Sequence, residues 1–84
     1  MSSEELTAET IEQLQELEED TNIPKNIKIK IKRISDILKE DVEISIKINK
    51  ALNELDEISS DPNLESYTRT QIWNIVSILE KINH

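Results

Sequence analysis

The chain has 84 residues, of which 33% are charged, and its formal net charge is −8. This acidity argues against a general affinity for nucleic acid or anionic membranes. Because the chain contains no Gly and no Cys, Gly-rich phosphate loops, disulfides and thiolate metal sites are excluded, and tight β-hairpins are disfavoured. No three Ile, Leu, Val or Met residues are consecutive, which excludes a membrane span. We expect a single cytoplasmic helical domain over residues 1–84.

Two helices are predicted in the first half of the chain, near residues 3–19 and 24–39. Ser2 followed by Glu5 forms a capping box, which marks the start of the first helix. Four aliphatic side chains then form an apolar stripe on that helix: Leu6, Ile11, Leu14 and Leu17. Pro24 suits the first position of the second helix, because its fixed φ and its missing N–H cost least there.

The second helix carries a competing strand pattern. Residues 27–32 alternate Ile and Lys with a period of two, which is typical of a half-buried strand. Apolar residues at helical spacing extend further along the same segment: Ile27, Ile31, Ile34 and Leu38. A strand here has a partner only in residues 44–48, which alternate in the same way. We therefore predict a helix, and no strand.

Two further helices are predicted near residues 43–59 and 64–82. Asp41 is expected to cap the third helix, and residues 59–63 (SSDPN) form the strongest helix-breaking cluster in the chain. The predicted buried face of the third helix consists of Ile44, Ile48, Ala51, Leu55 and Ile58. That of the fourth consists of Ile72, Ile75, Val76, Leu79 and Ile82. Short turns predict antiparallel neighbours, and hence an all-α, compact four-helix bundle of two hairpins, at about 3–39 and 43–82.

The two halves of the chain match when the sequence is shifted by 41 residues. Residues 9–40 then align with residues 50–81 without a gap, and eight of the 32 pairs are identical. The most specific match is an Asp-x-Asn-aliphatic turn that begins at Asp20 and again at Asp61. The alternative is partial matching by chance, in a composition rich in Ile and Glu. We predict a genuine repeat of two αα-hairpins.

Each predicted unit is a helix, a turn with an Asp, and a second helix with a basic residue near its start. This order is similar to the HEAT class of helical repeats, whose period is about 40 to 47 residues. In that resemblance Asp20 and Asp61 match the turn aspartate, and Lys28 and Arg69 match the basic residue. The small residue usual in the second helix is missing, and two units are fewer than a solenoid normally needs. An open stack and a closed bundle remain alternatives.

Two stretches carry a closer resemblance over nearly the whole chain. They are NIPKNI at 22–27 and LDEISSDPNL at 55–64, the second followed by Arg69, Ile72 and Trp73. With these stretches the chain resembles an uncharacterised family of short archaeal all-helical proteins. The resemblance implies an all-helical fold and an archaeal cytoplasm, and it carries no activity, cofactor or site residue.

Residues suited to catalysis or metal binding are scarce. His84 is the only histidine and the last residue, so we expect it to be exposed and unable to assemble a zinc site, which needs three or four ligands. Glu12, Glu16 and Glu19 share a face of the first helix opposite its apolar residues, so we expect them in solvent rather than in an inward-facing metal site. We therefore expect no enzyme activity, no catalytic residue, no cofactor and no metal.

Residues 25–33 hold five cations and no acid. One interpretation is attraction between this segment and the acidic first helix, which is worth little for each exposed pair. The other is a basic patch for RNA or an acidic protein, formed by Lys25, Lys28, Lys32 and Arg33. Because no aromatic residues are interleaved to stack on bases, attraction between the helices is the preferred interpretation.

Three large apolar residues fall outside the predicted buried faces. Trp73, the only Trp, lies about 130° from the apolar face of the fourth helix at 100° per residue. Ile29 and Ile46 lie opposite the apolar faces of their own helices. An off-core Trp either packs half-buried against a neighbouring helix or anchors a partner, since Trp is enriched in interface hot spots. Arg69, one turn earlier, is placed to stack on the ring, and these four residues form the candidate protein interface.

The function expected from these features is a non-catalytic protein–protein interaction module, which binds a partner protein or self-associates. The alternative is an RNA- or ribosome-associated factor that uses the basic helix at residues 25–33. No membrane partner is expected.

Overall fold

Four α-helices follow one another along the chain, for which the computed structural model describes residues 2–82. The helices are α1 (Ser3–Glu19), α2 (Lys25–Leu38), α3 (Ile44–Ser59) and α4 (Ser66–Ile82). The alternating Ile and Lys residues of 27–32 are helical, and the described residues contain no β-strand. The four predicted helices are confirmed, with every boundary within two residues of the expected one.

The first two helices begin close to the residues that the sequence indicates. Ser2 caps α1, because its Oγ accepts a hydrogen bond from the N–H of Glu5 at 3.2 Å and donates one to Glu5 Oε1 at 3.2 Å. Pro24, predicted at the first helical position of α2, is instead the residue before it, with an extended ψ of 145°. Its carbonyl oxygen accepts hydrogen bonds from the N–H groups of Ile27 and Lys28, at 3.0 and 3.1 Å, so Pro24 precedes the helix as a cap residue does.

The predicted cap of α3, Asp41, is wrong. The helix begins at Ile44, and Glu43 occupies the cap position without a capping hydrogen bond from its side chain. Asp41 lies two residues too early, because a capping side chain belongs to the residue that directly precedes the helix. An ion pair links the turn before α3 to the second turn of this helix: Lys50 Nζ lies 3.8 Å from Glu40 Oε2.

The helices form a ring around one aliphatic core. α1 lies beside α2 and α4, and α3 lies beside the same two helices, while the diagonal pairs stay further apart. Contact between α1 and α4 closes the ring, so the fold is a compact four-helix bundle about 32 Å long. The buried core consists of Leu14, Leu17, Ile23, Ile27, Ile31, Ile34, Leu38, Ile48, Ala51, Leu55, Ile58, Leu64, Ile72, Ile75, Leu79 and Ile82.

Two threonines complete the buried face of α1. Thr7 and Thr10 are buried, and their hydroxyls donate hydrogen bonds to the carbonyl oxygens of Ser3 at 2.7 Å and Leu6 at 2.8 Å. Because these bonds satisfy the hydroxyls within the helix, the side chains can be buried without an unpaired polar atom. Leu6 and Ile11, which were predicted in the apolar stripe, are only partly buried and pack against the edge of the core.

Two other predicted core positions are also not fully buried. Ile44 is 38% exposed, because it is the first residue of α3 and helical side chains lean toward the helix N-terminus, away from the rest of the helix. Val76 is partly buried, because it lines a surface groove between α3 and α4. The remaining predicted core residues of α3 and α4 are buried.

The α1–α2 and α3–α4 turns share hydrogen bonds at matching Asp and Asn residues. Asp20 Oδ1 accepts a hydrogen bond from the N–H of Asn22 at 2.8 Å, and Asp61 Oδ1 accepts one from the N–H of Asn63 at 2.9 Å. In each turn the residue after the Asn donates its N–H to the carbonyl oxygen of the Asp, at 3.3 and 3.2 Å. Both aspartates therefore close the chain reversal through an Asx turn.

Arg69, a residue of α4, donates side-chain hydrogen bonds to the α3–α4 turn. Its Nε donates to the carbonyl oxygen of Ser59 at 3.3 Å, and its Nη2 donates to the carbonyl oxygen of Asp61 at 3.1 Å. The last carbonyl groups of a helix lack partners within the helix, and the guanidinium supplies donors at this end of α3. Lys28, at the matching position of the first half, forms no side-chain hydrogen bond or ion pair with the described residues.

Ser35→Ala is predicted to raise the free energy of unfolding by about 1 kcal/mol. Ser35 is buried in α2, and its Oγ has no hydrogen-bond partner among the described residues, so its desolvation is not offset. Thr10→Val is the control, because the Thr10 hydroxyl is hydrogen-bonded and its removal should give no gain. Urea denaturation measures both changes, and a Ser35→Ala variant less stable than the wild type contradicts the prediction.

Arg69→Met is predicted to lower the free energy of unfolding by about 1 to 2 kcal/mol, since it removes two hydrogen bonds from a charged donor. Lys28→Met is the matched control and should change stability by less than about 0.5 kcal/mol. Equal losses in the two variants, measured by the same denaturation, are incompatible with a specific role for Arg69 in the turn.

Candidate functional site

Trp73 is the largest side chain that the core leaves outside. It lies on α4 with 56% of its surface exposed, and it lines a groove of about 310 Å³ between α3 and α4. We call this the Trp73 groove, and it is lined by Leu52, Asp56, Ser59, Trp73, Val76 and Glu80. Leu52 and Val76 are partly buried, whereas Asp56 and Glu80 are exposed. The groove therefore joins an exposed indole to apolar surface and to two negative charges.

The four residues of the candidate interface do not lie together. Arg69 is bonded to the α3–α4 turn and does not line the Trp73 groove. Ile29 is 63% exposed on α2 and lines a separate groove of about 270 Å³. Ile46, near the start of α3, is 45% exposed and lines neither groove. Because the α1–α2 and α3–α4 pairs are on opposite sides of the ring, Trp73 and Ile29 belong to two different surfaces.

Three residues of the candidate basic patch surround Ile29. We call this surface the Ile29 groove, and it is lined by Glu18, Lys25, Lys28, Ile29 and Lys32. Arg33 is exposed on the same helix but does not line the groove. In residues 2–82 no carboxylate oxygen lies within 4 Å of any of these four cations. In the described residues, attraction between α1 and α2, the preferred interpretation, therefore produces no close ion pair at these cations. The Ile29 groove is a mainly positive surface.

A groove of about 670 Å³ lies between α1 and α4 and was not predicted. Glu9, Glu12 and Glu16 line it from α1, and Gln71 and Asn74 line it from α4. The spacing of the three glutamates along one helix face is the sequence signal for it. Glu12 and Glu16 are exposed, as expected. Within the described part of the chain, no three acidic or His side chains come together in a way that could hold a metal ion.

Tyr67 is a second exposed aromatic residue, which the sequence reasoning missed. It is 66% exposed and lies near Glu16 and Asp20, where the start of α4 meets the end of α1. On a helical wheel Tyr67, like Trp73, falls outside the apolar face of α4, so its exposure could have been predicted in the same way. His84, expected to be exposed, lies outside the described residues.

Comparison with known proteins identifies relatives whose similarity extends over almost the whole chain. The profile of the uncharacterised protein family UPF0147 matches residues 1–82. UPF0147 protein MJ1419 of Methanocaldococcus jannaschii is 44% identical over 70 residues, which cover 82% of this chain and 75% of that protein. A UPF0147 protein of Methanosarcina mazei is 36% identical over 81 residues, which cover 95% of this chain and 87% of that protein.

The fold is shared with a solved structure. The crystal structure of the unknown-function protein MMP1188 matches with a TM-score of 0.87 and 39% sequence identity, covering 94% of this chain and 91% of that chain. None of the helices in the described residues is long and apolar enough to cross a membrane. The resemblance to a family of short archaeal all-helical proteins is confirmed, and this chain belongs to the uncharacterised protein family UPF0147.

Proposed function

We propose that this chain is a non-catalytic, cytoplasmic module that binds protein through the Trp73 groove. The observation that carries the proposal is the position of Trp73, which is 56% exposed beside Leu52 and Val76. Single exposed apolar residues are normal on protein surfaces. An exposed Trp that continues into other apolar surface is less common, and Trp is enriched among the residues that dominate binding energy.

The bundle does not need the Trp73 side chain for its core. The buried core is built from Ile, Leu and one Ala, and the indole is not part of it. Burying a Trp side chain removes roughly 150 to 250 Å² from water, so a partner that covers Trp73 gains apolar burial that the isolated bundle leaves unused. This unused burial supports an interaction role for the groove.

The chemistry of the chain supports the non-catalytic part of the proposal. The chain has no Cys, no Gly and a single His at its last position, so no Cys–His or Ser–His–Asp arrangement can form within residues 2–82. The carboxylates that line the groove between α1 and α4 include the exposed side chains of Glu12 and Glu16. Exposed carboxylates lack the burial that adjusts a catalytic acid or base to its task.

An RNA- or ribosome-associated role is the second candidate. It is supported by the Ile29 groove, where Lys25, Lys28 and Lys32 have no carboxylate within 4 Å in the described residues. Phosphate contacts need such unpaired cations. However, the groove presents Ile29 at the place where a single-stranded RNA site presents aromatic rings for stacking. Protein binding is therefore the favoured proposal.

We also propose that the two hairpins are repeat units related by the 41-residue offset and similar to HEAT-type hairpins. Support comes from the two matching Asx turns, at Asp20 and Asp61. Further support comes from burial, because Leu14 and Leu55, and likewise Ile31 and Ile72, are fully buried partners under this offset. Superposing residues 9–40 on 50–81 tests the proposal, since different interhelix angles in the two hairpins reduce the repeat to a similarity of composition.

Trp73→Ala is predicted to weaken partner binding by about 2 kcal/mol, a typical hot-spot loss, or roughly thirtyfold in affinity. Stability should change little, because the indole is largely outside the core. Tyr67→Ala is the matched control, since Tyr67 is also an exposed aromatic residue of α4 but lines a different cavity. Both variants are compared with the wild type by chemical denaturation and by quantitative capture from a nuclease-treated native lysate.

Two outcomes contradict the proposal. In one, Trp73→Ala loses roughly 3 to 5 kcal/mol of stability, as expected for a core aromatic residue, while the captured proteins are unchanged. In the other, Tyr67→Ala and Trp73→Ala reduce capture equally, which means that the Trp73 groove is not the binding surface. Recovery that disappears only after nuclease treatment supports the RNA candidate instead.

A further inference from the structure

The two apolar grooves of the bundle carry opposite charge. The Trp73 groove is lined by the carboxylates of Asp56 and Glu80 and by no cation. The Ile29 groove is lined by Lys25, Lys28 and Lys32 and by one carboxylate, that of Glu18. Each groove also presents a large exposed apolar side chain. The two surfaces are therefore complementary in charge, and each offers apolar area to bury.

The residues that line the two grooves extend over similar lengths of helix. Lys25 and Lys32 are seven residues apart on α2, and Trp73 and Glu80 are seven residues apart on α4. Seven residues are two helical turns, or about 10.5 Å at 1.5 Å per residue. Ile29 lies between the two lysines in the sequence, so the face of α2 that lines the Ile29 groove carries an apolar residue flanked by two cations.

We propose that the partner received by the Trp73 groove is a second copy of this chain, which docks through its Ile29 groove. Ile29 of one copy packs against Trp73 of the other, and the lysines of α2 face Asp56 and Glu80. This inference rests on the proposed function and adds the identity of the partner. Electrostatic complementarity of this kind fixes orientation and excludes wrong partners more than it raises affinity.

The two grooves lie on opposite sides of the ring, one along the α1–α2 pair and the other along the α3–α4 pair. Contact between unlike surfaces is heterologous, and each copy keeps one groove free after the first contact. Assembly therefore continues head to tail, into a closed ring or an open chain. The net charge of −8 on every copy opposes association in general, so attraction has to come from the local arrangement of the two grooves.

Charge reversal of the purified full chain tests the inference, with sedimentation velocity over a range of protein concentrations as the readout. The wild type should associate with rising concentration. Lys25→Glu/Lys32→Glu and Asp56→Lys/Glu80→Lys should each raise the dissociation constant more than about tenfold, since like charges then face each other. All four positions are exposed, and far-UV circular dichroism checks that both double variants remain helical.

The mixture of the two double variants is the decisive sample. One variant then carries two acidic grooves and the other two basic grooves, so their mixture should regain association although each alone has lost it. If net charge alone controlled association, the variants would rank differently in association strength. The reversals change the charge of −8 by four units, to −12 in the lysine variant and −4 in the acidic-residue variant. General repulsion therefore makes the second variant associate more than the wild type, whereas docking between the grooves makes it associate less.

A wild type that is monomeric at every concentration overturns the inference, and so does a mixture that stays dissociated. If capture from lysate still depends on Trp73 in either case, the proposed function stands and the partner is another protein. If the Lys25→Glu/Lys32→Glu variant sediments like the wild type but no longer retains RNA in a nuclease-controlled capture, the Ile29 groove binds RNA and the inference is wrong.

Discussion

Each helix of this chain carries one stripe of mainly branched aliphatic side chains, and a stripe leaves water only by packing against the other helices. Contact between α1 and α4 closes the ring and brings the four stripes into one core. The described hydrophobic core contains no aromatic ring and consists of Ile, Leu and one Ala. Side chains on the outer faces contribute little to this core, and Trp73 and Ile29 both lie there with more than half of their surface exposed.

Charge is distributed unevenly over the same outer faces. The acids of α1 and the cations of α2 are neighbours along the chain, yet in residues 2–82 they form no ion pair within 4 Å. The Trp73 groove is negative and the Ile29 groove is mainly positive, and they lie across the ring from each other. The bundle thus presents two complementary surfaces on opposite sides, although its overall charge of −8 is strongly negative.

Local periodicity was enough to predict the four helices, the buried face of α2 and the position of Trp73 outside the core. It missed Thr7 and Thr10, because a helical carbonyl oxygen accepts each hydroxyl and hides its polarity. The contact between α1 and α4 joins distant parts of the chain, which no local pattern reports. The role of Arg69 was also missed, since its hydrogen bonds depend on where the α3–α4 turn places two carbonyl oxygens.

The fluorescence of Trp73, the only Trp in the chain, tests most directly whether this surface serves association. Long-wavelength emission and ready quenching by acrylamide are expected in the dilute protein, because Trp73 is 56% exposed. On association the emission should shift to shorter wavelength and quenching should fall, while far-UV circular dichroism stays constant. Short-wavelength, protected emission at the lowest concentration, where sedimentation shows a monomer, would mean that Trp73 is buried within the bundle and is not available for association.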